Sequence, residues 1–204
     1  LRGCVRRPRR PTQTAATCTR RGHFRGVRGV SLARDGLGEG GVERTVGGGS
    51  AGGNLAAALT LVARDSAGPP ISFQFLFVPA TDISGTQKWS SYEETGEKYM
   101  LKVSEIERII ALYAPNPIDR LLAAASPLLA TSHKGLPPAL IVTAQFDPLR
   151  DQGEAYARRL ESAGVPVVLH REKGAIHGLV GSDSRFISVY ELAANSLRDH
   201  FSDP

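Results

Sequence analysis

Cysteine is scarce in this chain. Its two cysteines, Cys4 and Cys18, have no metal-ligand spacing, which excludes a disulfide framework and a zinc site as organising features. Long apolar runs are missing too. None reaches the roughly 18 residues of a membrane span, and no stretch reads as the apolar core of a signal peptide. These shortages fit a reducing cytoplasm. Lysine is missing from residues 1–44 and acidic residues from 1–34, whereas eleven arginines fall before residue 45. The net charge of +5 therefore describes neither part of the chain, which joins a strongly basic segment to a mildly acidic remainder. At 204 residues and 41% hydrophobic content there is enough chain for one domain with a real core.

Residues 1–40 show no sustained apolar period of 2 or 3.6, and Pro8 and Pro11 break them further. A basic, disordered segment is expected there, followed by a domain over residues 41–204. Arginines neutralise phosphates, so a nucleic-acid-binding arm is one reading of the segment. An acid-free transit peptide is another, opposed by the single serine before position 35, Ser31, and by the lack of an amphipathic helix. The favoured reading is a segment not selected as protein, because arginine without lysine is what GC-rich DNA yields in another frame. An initial Leu would then mark a fragment of a longer reading frame. No nucleic-acid partner is expected.

What the chain does have is glycine around one serine. Gly48-Gly49-Ser50-Ala51-Gly52 reads G-x-S-x-G. A serine hydroxyl is a weak nucleophile and must be held out of a tight strand-to-helix turn, where a histidine can take its proton. Gly48 and Gly52, two residues to either side, let the backbone pass itself and the helix at angles that a Cβ would obstruct. Residues 42–46 are expected as a short strand and 54–63 as a buried helix whose N-terminus faces the serine. The pentapeptide alone is a weak signal in a chain with 22 glycines. Gly47, Gly49 and Gly52 also satisfy G-x-G-x-x-G, a dinucleotide turn. The acid that this motif wants, Asp82, lies about 30 residues on rather than about 20.

Downstream, residues 71–78 are β-branched and aromatic and end at Pro79, the pattern of a buried strand. Residues 83–104 are polar and read as a surface excursion, and 103–113 as an amphipathic helix stopped by Pro115 and Pro117. A continuous apolar strand is expected over 139–144, a helix over 151–163 closed by Gly164, and another strand over 165–170. A loop at 174–178 and a final amphipathic helix at 186–201 complete the chain. Helices alternating with strands of continuous apolar character predict an α/β parallel sheet covered on both faces.

In such a sheet, functional groups collect at the carboxyl ends of the strands. Ser50, Asp147 and His177 each follow an expected strand, in the order Ser, Asp, His of one hydrolase triad. Ser50 would attack an acyl carbon, His177 would act as general base and then acid, and Asp147 would orient and stabilise the imidazolium. The stretches Gly48-Gly49-Ser50-Ala51-Gly52-Gly53-Asn54-Leu55-Ala56, Phe146-Asp147-Pro148-Leu149-Arg150-Asp151, Glu154 to Leu160 and Ile176-His177-Gly178 carry more. Together they resemble the hormone-sensitive-lipase-like family of bacterial carboxylesterases (α/β-hydrolase fold-3), over roughly residues 42–204.

The resemblance implies a partial α/β-hydrolase fold, mostly a parallel sheet flanked by helices and lacking the first strands. It also implies hydrolysis of short or medium acyl esters by Ser50, Asp147 and His177, with a small-molecule ester as partner and no metal or other cofactor. The dinucleotide turn loses its support, since it explains neither the Asp147-Pro148 stretch nor His177-Gly178. Two departures stand out. The family usually has an acidic residue where Gly49 stands, and its H-G-G-G motif is absent, the nearest histidine being His23. The N–H of Ala51 is then the expected oxyanion donor, and losing one such donor costs roughly 10²–10³ in turnover. Without upstream strands, residues 42–46 are expected as a bare sheet edge, with residues 30–37 keeping a helix remnant. The alternative to an esterase is therefore a catalytically inactive, truncated fragment.

Overall fold

The aromatic run at residues 71–78 becomes the centre of a five-stranded sheet. The computed structural model describes residues 31–35, 43–178 and 185–202. Within them, strands β1 (Ser31–Asp35), β2 (Glu43–Gly49), β3 (Phe73–Phe77), β4 (Ala139–Phe146) and β5 (Val167–Ile176) lie side by side in that order. β1 is antiparallel to β2, and the other three pairings are parallel. The helices are α1 (Ala51–Asp65), α2 (Ser90–Thr95), α3 (Val103–Tyr113), α4 (Arg150–Ser162) and α5 (Arg185–Ser202).

Side chains alternate along a strand, so the sheet has two faces to cover. Val46, Leu76 and Ile141 point to one, against Ala56, Ala57 and Leu61 of α1 and Tyr156, Ala157 and Leu160 of α4. Phe73, Phe77, Leu140 and Val142 point to the other, packed by Leu192, Ala193 and Leu197 of α5. That is why β3 and β4 are predominantly apolar on both faces. The alanines of α1 let the helix lie close to the sheet. Leu61, Leu76, Leu140, Ile141 and Leu160 are fully buried, each contributing about 1.5–3 kcal/mol relative to exposure.

Several expectations need correction. The helix remnant at residues 30–37 is, over Ser31–Asp35, a strand paired with β2 in unbroken register. These five residues also lie in the segment expected to be disordered. An open strand edge offers unpaired N–H and C=O groups, whereas a helix of eight residues is marginal by itself. β2 is consequently not the bare edge. The remaining basic residues, 1–30, with Cys4 and Cys18, lie outside the described residues. β2 also runs on to Gly49, its glycines pairing opposite Phe75, Leu76 and Phe77. Residues 83–104 are more than a surface excursion: they contain α2, and Ile83, Ser91 and Thr95 are buried. Finally, β5 extends through residues expected as a loop. A register irregularity against β4 near Ala144 and Phe146, with Gly174 at φ 73°, keeps the pairing going to Ile176.

Candidate active site

Ser50 stands between β2 and α1 at φ 55°, ψ −118°, a conformation that side-chain-bearing residues rarely adopt. Holding it there costs of the order of 1–3 kcal/mol, so the surroundings must enforce it. They do so from both sides of its backbone. The Ser50 N–H donates to Phe77 O at 2.8 Å, and its C=O accepts from Ala80 N–H at 3.3 Å. Between those partners Val78, itself at φ 41°, and Pro79 turn the chain back over the elbow. Close approaches flank the pentapeptide at Gly53 and at Gly47. A Cβ on Gly53 would lie 2.8 Å from Pro79 Cβ, and one on Gly47 would lie 3.2 Å from Phe75 O. Gly49 is exposed and has room, a Cβ there meeting nothing closer than Phe77 O at 3.8 Å.

The sheet brings the three expected residues together. Asp147 follows β4 directly and is wholly buried, and His177 follows β5 and is 8% exposed. His177 Nδ1 lies 2.8 Å from Asp147 Oδ2, and His177 Nε2 lies 3.0 Å from Ser50 Oγ. The other oxygen of Asp147, Oδ1, accepts the Leu149 N–H at 2.9 Å, which fixes the carboxylate plane. A carboxylate at Nδ1 favours the tautomer with its proton there, leaving Nε2 to accept the serine proton. Ala51 begins α1 and is exposed, and a first-turn N–H has no carbonyl within the helix to bond. It is available to an oxygen above Ser50.

Further groups brace the site. Arg150 donates through Nη1 to Gln145 O at 3.0 Å and pairs with Asp151 at 2.8 Å and Glu94 at 2.9 Å. Asp151 Oδ2 accepts the Ser91 N–H at 2.8 Å, which docks α2 beside the Asp147 turn. Asn54 Nδ2 donates to Ala80 O at 2.6 Å and Ala125 O at 2.8 Å, tying α1 to the segments that cross it. Gln152, wholly buried, accepts the Asp82 N–H at 2.7 Å and donates to the Tyr92 hydroxyl at 3.1 Å. Sequence reading missed these braces. Gln152 left one clue: it stands four residues before Tyr156, so both share the inward face of α4. Burial pushes the Tyr92 phenol up to about 12, helped by the charge of Asp82 and, more weakly, of Asp147. Asp82, Ile83, Trp89, Tyr92, Ile106 and Ile110 line a cleft of about 320 Å³. Among the described residues no group of three or more His, Cys, Asp or Glu could hold a metal ion, and no helix is long and apolar enough to cross a membrane.

A mostly parallel sheet with a strained serine elbow after β2, a buried carboxylate after β4 and a histidine after β5 defines an α/β hydrolase. Comparison with known proteins agrees. A family profile described as alpha/beta hydrolase fold matches residues 37–181, and the chain belongs to that family, in its hormone-sensitive-lipase-like fold-3 branch. An arylesterase of Saccharolobus solfataricus is 36% identical over 176 residues, 84% of this chain and 56% of that protein. The carboxylesterase NlhH of Mycobacterium tuberculosis is 40% identical over 144 residues, 66% of this chain and 43% of that protein. Among solved structures, a thermostable esterase from Pseudomonas putida superposes with a TM-score of 0.72 at 37% identity, covering 76% of this chain and 50% of that one. The chain thus spans about half the length of the relatives it matches.

Proposed function

We propose that the chain hydrolyses carboxylic esters of short or medium acyl chains through Ser50, His177 and Asp147. One observation carries this reading: the unbroken hydrogen-bonded line from Ser50 Oγ through the imidazole to Asp147. Ser50 Oγ attacks the ester carbonyl while His177 Nε2 takes its proton, giving a tetrahedral oxyanion that the Ala51 N–H faces. The imidazolium, steadied by Asp147, returns that proton to the departing alkoxide, and the acyl group stays on Ser50. Water, deprotonated by the same nitrogen, then attacks the acyl-enzyme and releases the acid and the free serine. In this reading the acyl chain is assigned to the cleft beside Tyr92, where Ile83, Trp89, Ile106 and Ile110 stand together with Asp82, Glu107 and Arg120.

A second reading is favoured by the absence of H-G-G-G from the sequence: the triad is assembled, but turnover is crippled for want of oxyanion donors. Hydrolysis of p-nitrophenyl acetate and butyrate by the chain and by Ser50→Ala decides between them. Turnover lost in the variant supports the esterase, whereas equal, background-level rates in both leave an inactive member of the family.

A further inference from the structure

We propose that Met100 is a specificity-determining residue that walls the space for the leaving alcohol, an inference that rests on the esterase reading. In that mechanism His177 Nε2 hands its proton to the alkoxide, so the alcohol must sit beside the imidazole. The segment that reaches this place comes from the excursion after β3. Tyr99 stacks on Phe146, the residue before Asp147, with ring centroids 5.1 Å apart and planes 26° apart. The next residue, Met100, extends over Gly178, the residue after His177. Gly178 stands at φ 79°, and a Cβ built on it would overlap Met100 Cε. One dipeptide therefore touches the neighbours of both the acid and the base of the triad.

Tyr99 is half-buried by its stack, whereas Met100 is 58% exposed although it is apolar. Such a thioether is unbranched and adaptable, and contributes little to the core. Its fit is to something that comes and goes on the histidine side. The cleft assigned to the acyl chain, lined by Ile106 and Ile110, does not include it. Acyl-chain and alcohol selectivity should accordingly separate.

The test uses two ester series. In one, butyrate is esterified with methanol, butanol and benzyl alcohol; in the other, methanol carries acetate to octanoate. Removing apolar bulk from a pocket changes discrimination by about 10–200-fold, and the exposure of Met100 sets its effect near the lower bound. Met100→Ala is expected to shift the benzyl-to-methyl ratio of kcat/KM by about 10-fold and to leave the acyl series unchanged. Met100→Leu, which keeps the bulk, should restore the parent ratio. Met100 is also the chain's one methionine, so a methyl-labelled sample gives a single methionine methyl signal. That signal should move when Ser50 is trapped by a phosphonate retaining a benzyloxy group. An unchanged alcohol ratio, or a shifted acyl series, overturns the proposal while the esterase reading stands. Absence of any Ser50-dependent turnover overturns both.

Discussion

Gly53→Ala isolates the packing that holds Ser50. Non-bonded carbons rest at about 3.5–4.0 Å, whereas the new methyl group would stand 2.8 Å from Pro79 Cβ and 3.0 Å from Pro79 Cα. Pro79 cannot rotate away, because its ring is part of the backbone. Nor can it retreat freely, since it is backed by α4, where a Cβ on Gly153 would lie 3.5 Å from its Cγ. The strain must pass to Phe77 and Ala80, whose backbone groups hold Ser50. Overpacking costs about 1–3 kcal/mol, and replacing a helix glycine by alanine returns about 1 kcal/mol. The net expectation is a loss of up to ~2 kcal/mol in urea unfolding. A serine displaced by about 1 Å lowers turnover of p-nitrophenyl butyrate by ~10²-fold, and a smaller displacement by less. Gly49→Ala, whose Cβ meets only ordinary contacts, should leave both nearly unchanged. A Gly53→Ala protein that is about 1 kcal/mol more stable and fully active would refute the argument, since only helix propensity would then be acting.

Other perturbations address the triad and its surroundings. Asp147→Asn should leave the fold intact and lower kcat by roughly 10⁴, measured beside Ser50→Ala as background; a loss below tenfold would mean that the carboxylate does not set the tautomer. The Tyr92 phenol is raised from its ordinary value of about 10 to about 12 in the fold, so the unfolded chain loses its proton first. Stability should be fully present below pH ~10 and fall as pH rises towards ~12, a slope that Tyr92→Phe removes in denaturation curves. His133 behaves in the opposite sense. Burial pushes its pKa down, against the hydrogen bond to Pro127 O, so the fold keeps it neutral. Stability is present above the ordinary histidine value near ~6.5 and is lost as pH falls below it; His133→Gln should flatten that acid limb.

The site was more legible in the sequence than the sheet that carries it. Ser50, Asp147 and His177, which the fold brings within hydrogen-bonding reach, each belong to a short motif and each follow a strand. The supports could not be read so directly. Asn54 and Gln152 act through partners 26 to 71 residues away, which no local pattern encodes. Gly53 lies just outside the pentapeptide, and its need to be glycine depends on where Pro79 comes to lie. β1 has too few residues for a period, and its pairing depends on an edge contributed by another strand. The extension of β5 to Ile176 depends on Gly174, which reads as a loop residue until its partner Gln145 is seen to accept its N–H.

The spacing of Ser50, Asp147 and His177 along the chain bears on how they are brought together. Asp147 and His177 are 30 residues apart, at two ends of a single β4–α4–β5 unit, whereas Ser50 and His177 are 127 apart. Closing the longer loop carries the larger entropic cost, and contacts of such sequence separation form late. During refolding the Asp147–His177 pair can therefore exist before Ser50 arrives, and chemical reactivity of Ser50 becomes a clock for the docking of β3 on β4.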